Sequence, residues 1–445
     1  MRSSLHRRII TPLAIAAIAG ITLAGCSGGP GGPGGPGGAD AEAGAAGDGT
    51  VTIYGGISDF EAEQLEESWA DWATENDIDI QYEASKEFEA QISIRAQGGN
   101  APDIAIIPQP GLFADLASRD FLKPAPAAVE ANVDEYWSED WKAYGTVDDT
   151  FYGAPLMASL KGYIWYSPAK FAEWGVEVPE TFDDLLAVTK TIQEKTGSQP
   201  WCAGFGSGDA TGWPGTDWVE DLVLRQSGPE VYDQWVANEV PFTDPKIAEA
   251  FDAVGEILLN PEYTNATFGD VKSINSVPFG DVATPIADGS CAMTHQASFF
   301  DGFISDAGGE VGPDGDVWAF MTPPIEAGGQ TVTGGGEIVG AFSDDADTQK
   351  VLEYLSSAEW ANTRVAIGGV LSANSGLDPE NATSPILQES IKILQDPNTT
   401  FRFDASDVMP GTVGAGTFWK GIVSWVNGTP TSEVLTSIES GWPSE

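Results

Sequence analysis

VTIYGGISDFEAEQLEESWADWATENDIDIQYEASKEFEAQISIRAQGGNAPDIAII, residues 51–107, switches repeatedly between two periodicities and so decides the fold class. Val51 to Tyr54 is a short β-branched and aromatic run closed by Gly55 and Gly56, the pattern of a buried strand. From Asp59 onward Leu65, Trp69, Trp72 and Ala73 recur at helical spacing behind an acid-rich first turn. Ile78, Ile80 and Tyr82 alternate as a strand, and Phe88, Ile92 and Ile94 to Ala96 give a second helix. Asp103 to Ile107 is another buried strand. Strand–helix alternation predicts βαβ units on a mostly parallel sheet. Ligands of open sheets lie outside the carboxyl ends of strands, here Gly55–Phe60 and Pro108–Gly111.

Working outward, the N-terminus has the layout of a secretory signal. Arg2, Arg7 and Arg8 precede an apolar stretch from Ile9 to Leu23, shorter than the ~20 residues of a membrane-spanning helix. Leu23-Ala24-Gly25-Cys26 resembles the lipobox of bacterial lipoproteins, which implies processing after residue 25 and lipidation of Cys26. An ordinary signal peptide with a chance cysteine is the alternative. Residues 26–49, largely Gly, Pro and Ala, have too little apolar surface to offset their ordering entropy and are expected to form a disordered linker.

The chain of 445 residues carries 20 Lys and Arg against 67 Asp and Glu. Without the three arginines of the leader the balance is 17 against 67, or −50. Such a field repels nucleic acid and anionic lipid surfaces, so neither is an expected partner, and it suits salty surroundings that screen self-repulsion. His295 is the only histidine beyond the leader, and no Gly-rich phosphate loop opens a helix. No metal and no cofactor is expected. Cys202 and Cys291 are the thiols left beside Cys26, and an isolated pair in an exported chain predicts a disulfide.

Several stretches taken in order carry a resemblance. They are PDIAIIPQPG (102–111), YGAPLMASLKGYIWYSPAKF (152–171), VPETFDDLLAV (178–188, with a Thr181/Asp184 capping box), DGSCAMTHQASFF (288–300), VWAFMTPPI (317–325) and FWKGIVSWVNG (418–428). The chain resembles bacterial extracellular solute-binding protein family 1, the maltose-binding-protein-like sugar receptors of ABC importers. WCAGFGSGDATGWPGTDWVEDLVLR (201–225) is similar to the α-glucoside-binding branch.

The resemblance implies an α/β, two-lobed periplasmic-binding-protein-like fold with a ligand cleft between discontinuous lobes. The lobes would be 50–157 plus 323–356 and 158–322 plus 357–445. Passages between them would lie near Ala154–Leu160, Ala319–Pro324 and Ser356–Trp360. Sugar rings stack on aromatic faces, and their hydroxyls need polar partners when buried. On that logic Trp419, Trp213 and Phe299 are the implied platforms, with core packing as the alternative for each. Asp217 is the implied clamp, ahead of its neighbour Glu220. Lys161 donates to a hydroxyl or pairs with a carboxylate, Gln109 and Glu337 face the cleft, and Ser58, Glu87 and Gln296 complete the set.

The expected function is a lipid-anchored, monomeric receptor on the extracellular or periplasmic face of the membrane. It would bind an oligosaccharide, an α-glucoside by resemblance, through lobe closure and deliver it to permease subunits without catalysis. A lipid-anchored glycoside hydrolase is the alternative, needing two carboxylates across a scissile bond. An adhesin or scaffold would carry repeats, and none lies beyond the linker.

Overall fold

The computed structural model describes residues 46–266, 269–323, 331–396 and 398–443. The expected signal segment, Cys26 and most of the linker lie outside the described residues. Among the described residues no helix is long and apolar enough to cross a membrane.

In chain order the strands are β1 (Thr50–Gly55), β2 (Asp79–Ala84), β3 (Ile104–Ile107), the ribbon β4 (Thr146–Val147) with β5 (Thr150–Phe151), and β6 (Gly153–Leu160). There follow β7 (Tyr163–Tyr166), β8 (Trp201–Cys202), β9 (Thr264–Asn265), β10 (Met293–Gln296), β11 (Trp318–Met321), β12 (Thr331–Ala341) and β13 (Thr400–Phe403). One sheet runs β13-β12-β3-β1-β2 with β6 also paired to β12, and the other runs β11-β7-β10-β8-β9. β3 is buried at every position, because both faces of the sheet are covered, and reads as the unbroken apolar run IAII. β2, at the sheet edge, shows the period-two alternation of a half-covered strand. The helices Asp59–Glu75 and Phe88–Gln97 follow β1 and β2.

The sheets are mixed rather than mostly parallel. β1 pairs parallel with β2 and β3, but β12 runs antiparallel to both β3 and β6. In the second sheet β7 is antiparallel to β10 and β11. The cause is the way the chain changes sheets. It leaves the first through β6, turns at Lys161 and Gly162 (φ 77°), and enters the second directly as β7. The antiparallel pairings of the two large sheets all involve β7 or β12, the strands on which the chain enters one sheet from the other. The chain returns between β11 and β12, where residues 324–330 of that passage lie outside the described residues. The helix Ala358–Ile367 packs on the helix Asp59–Glu75, with Trp360 Nε1 donating to Ser68 Oγ at 3.0 Å. The chain is therefore still in the first helical layer at Ile367, eleven residues past the expected boundary at 356, and beyond it Leu371 bridges Ala158 of β6.

Two local signals explain themselves. Thr181 Oγ1 accepts from the Asp184 amide at 3.1 Å while Asp184 Oδ2 accepts from the Thr181 amide at 3.2 Å, so the capping box closes. Cys202 and Cys291 are joined as a disulfide with Cα atoms 6.0 Å apart, beside the pairing of Trp201 with Met293.

Candidate functional site

A cleft of about 220 Å³ is lined from both sheets and their helices. Its floor is the turn between β6 and β7. Lys161 is buried there, with Nζ 2.7 Å from Asp217 Oδ2 and 2.7 Å from Asp404 Oδ2. Asp217 projects from the second turn of the helix Trp213–Val236, and Asp404 follows β13, so one ammonium joins three segments distant in sequence. Burial pushes the Asp217 carboxyl upward, and the Lys161 ammonium pulls it back. Asp217, Glu220 and Asp404 bring carboxylate oxygens within 4.8 Å of one another. Lys161 already supplies a positive charge to two of the three.

Glycines open this floor. A Cβ on Gly336 would stand 2.3 Å from the Met157 carbonyl oxygen, so β12 approaches β6 only with glycine there. The register shifts immediately after Glu337, an irregularity that re-aims a side chain, and Glu337 lines the cleft.

Aromatic rings form one wall. Trp213 meets Phe279 edge-on at 5.0 Å and Phe299 at 6.0 Å, and Lys161 Nζ sits 5.0 Å from the Trp213 ring centre. Trp419 is buried at the end of a π-helical turn, Val413–Phe418, with its indole Nε1 unpartnered. Turns of this kind are frequent at functional sites because the extra residue reorients the next side chain. Its ring and Trp213 both line the cleft.

The opposite wall belongs to the first sheet. Gln109 Nε2 donates to Glu89 Oε1 at 3.4 Å, and Gln109 Oε1 is buried without a partner. Arg364, fully buried, donates from Nη1 to the Gly368 carbonyl at 2.9 Å. It faces Glu61 and Glu337. Burial raises both carboxyls to about 7 despite the opposing guanidinium, and burial lowers Arg364 to about 10. A second recess of about 840 Å³ shares Gly56, Glu61, Glu89, Ser207, Ala210 and Phe279 with the cleft.

Of the expected residues, Gln109, Lys161, Trp213, Asp217, Phe299, Glu337 and Trp419 come together around the cleft. Ser58 lines the adjoining recess instead and donates to Asp59 Oδ2 at 3.1 Å. Glu87 is exposed and lines neither space; the nearby Asp209 charge raises its carboxyl. Gln296 is buried in β10, where its Oε1 is taken up by the Ala297 amide at 2.8 Å and its carbonyl by Trp165 Nε1 at 3.1 Å. It too lies off the cleft. Glu220 accepts from the Ser406 amide at 3.1 Å behind Asp217. His295 stacks on Trp218 with ring centres 5.0 Å apart and faces Asp221, away from the cleft lining. Glu61, Glu89, Arg364 and Asp407 also line the cleft, and sequence reasoning missed them. Arg364, in the last turn of a helix, looks in sequence like any cation complementing the helix dipole. The acids look like three of many surface carboxylates.

The description of bacterial extracellular solute-binding proteins matches residues 59–362. The osmoprotective compounds-binding protein GgtB of Synechocystis is 35% identical over 398 residues, 88% of this chain and 92% of that one. The alpha-glucosides-binding periplasmic protein AglE of Rhizobium meliloti is 35% identical over 407 residues, 89% of this chain and 87% of that one. Among solved structures, the bacterial solute receptor AcbH, described as preferring β-D-galactopyranose, superposes with a TM-score of 0.75 at 20% identity. That match covers 88% of this chain and 98% of the other. RafE in complex with raffinose superposes with a TM-score of 0.69 at 18% identity, covering 88% and 98%. These structural likenesses establish the two-lobed fold and nothing finer.

Proposed function

The chain belongs to the bacterial extracellular solute-binding proteins, and on that premise we propose that it is the sugar receptor of an ABC importer, taking an α-glucoside by lobe closure. The observation that carries this reading is the cleft itself. Trp213, Phe299 and Trp419 offer ring faces and edges, while Lys161, Asp217, Gln109 and Glu337 offer hydrogen-bonding groups within the same space. A sugar ring needs that combination, an apolar face to cover its C–H groups and polar partners for hydroxyls taken out of water. The α-glucoside assignment is supported by a relative named for that ligand. Sugar is handed to permease subunits unchanged, so no hydrolysis is expected. Asp217 is committed to Lys161 as an ion pair, which suits it to holding a hydroxyl.

The receptor works as a monomer held at the outer face of the membrane through lipid on Cys26, with the linker through residue 49 as its leash. Mass spectrometry of membrane-extracted protein tests the anchor. The expected product begins at Cys26 and carries acyl mass, and unmodified protein retaining residues 1–25 contradicts it.

A thermal-shift screen with maltose, trehalose, sucrose and raffinose tests the ligand class. A ligand that binds only the folded state raises its stability, by about 2.7 kcal/mol at a hundredfold excess over Kd. A shift with an α-glucoside and no released glucose is the expected result. Release of glucose would transfer the protein to the hydrolases.

A further inference from the structure

We propose that the cleft selects an α-glucoside bearing a protonated amine over its neutral counterpart, an inference that rests on the sugar-receptor reading and narrows its ligand class. The argument is the charge inventory of the lining. Five carboxylates, Glu61, Glu89, Asp217, Glu337 and Asp407, face the space against two cations, Lys161 and Arg364. Lys161 is engaged by Asp217 and Asp404, with Asp407 also within reach of its charge, while Arg364 donates from Nη1 to the Gly368 carbonyl and lies beside Glu61 and Glu337 without an ion pair to either among the described residues, its Nε unpartnered. Glu89 accepts from the neutral Gln109 amide, and among the described residues neither Glu89 nor Asp407 makes an ion pair.

The general acidity of this chain does not account for that imbalance. Surface carboxylates are solvated and cost little, whereas an uncompensated carboxylate drawn into a cleft is unfavourable unless something neutralises it. Burial and the neighbouring Asp404 charge raise Asp407 well above its ordinary value, and burial raises Glu89. Protonation lowers this charge. A ligand ammonium does so better, since it has three donors and no acceptor.

Two further features accommodate such a ligand, the first serving a hydroxyl as readily as an ammonium. Gln109 Oε1 is a buried, unpartnered acceptor on the cleft wall. The Trp213 ring already carries an ammonium, that of Lys161, 5.0 Å from its centre, so this aromatic wall tolerates cations against its faces.

Calorimetry with a charge series on one scaffold tests the proposal. The probes are methyl α-D-glucoside, its 2-amino-2-deoxy and 6-amino-6-deoxy analogues, and methyl α-D-glucuronide, each below the pKa of the amine. At least one amine is expected to bind about tenfold or more tightly than the neutral parent, the difference between a charge-assisted and a neutral hydrogen bond, and the glucuronide more weakly. That preference should shrink above the pKa of the amine and in a variant combining Glu89→Gln with Asp407→Asn. The ratio between ligands is the readout, so a partly destabilised variant still reports. A neutral glucoside that binds as tightly as both amines overturns the proposal and leaves the sugar-receptor reading standing. An undiminished amine preference in the double variant overturns it too. Binding by none of the four overturns the proposal, and the thermal-shift screen with the larger sugars decides the receptor reading separately.

Discussion

Gly212 lies so close to Trp419 that a Cβ on it would stand 2.5 Å from the carbonyl oxygen of the tryptophan. Its φ of 117° is also outside what side chains readily adopt. The contact brings the start of the helix Trp213–Val236 against the π-helical turn that delivers Trp419, so two cleft tryptophans depend on one missing side chain.

Gly212→Ala is therefore expected to cost about 1–3 kcal/mol of stability, from strain and close approach together, and to weaken ligand binding as well. Urea unfolding and calorimetry on the same preparation check it. A variant with the stability and affinity of the parent would mean that the two segments are not held in this way.

The pair Glu61 and Glu337 sets a pH dependence. Burial raises both carboxyls from 4.5 to about 7 in the folded protein, with Arg364 acting against the rise. Because the folded state holds these protons more tightly than the unfolded one, their stabilisation is complete below about 4.5 and is lost as pH rises through about 7. Tm of the free receptor should fall across that window. Glu337→Gln should flatten the fall while Glu61 still balances Arg364. An unchanged slope in the variant would remove Glu337 from the account.

The bond between Cys202 and Cys291 closes a loop of 89 residues along the chain. Replacing both, Cys202→Ser with Cys291→Ser, is expected to cost about 2–5 kcal/mol in denaturant unfolding. Thiol titration of the natively exported protein should find neither cysteine free. Two reactive thiols would refute the pairing.

How much of this was legible from residues depends on whether the signal is local. The strands and helices between Thr50 and Ile107 appear where their periodicities put them, since each element carries its own pattern of burial. The Thr181/Asp184 cap closes within one turn for the same reason. The mixed strand directions were not legible, because nothing in Lys161-Gly162 announces that β6 feeds β7 without a helix. The aromatic side of the cleft was readable only through family resemblance. Arg364, Glu61 and Asp407 were not readable at all. They meet by way of segments roughly three hundred residues apart, and in a chain with 67 acids a buried carboxylate has no sequence mark that a solvated one lacks. Gln296 fails for the opposite reason: it sits in a segment that does supply Phe299, but its amide is consumed by the next residue.

The most direct measurement is calorimetric titration of the preferred α-glucoside into the parent, Trp419→Ala and Asp217→Asn, with Tm recorded for each. Loss of the Trp419 ring should weaken binding by about 1–3 kcal/mol, the scale of one buried aromatic contact, while the variant still unfolds cooperatively. Asp217→Asn should cost a similar amount by removing a charge-assisted bond and loosening Lys161. If both folded variants bind the sugar as the parent does, the ligand does not occupy this cleft.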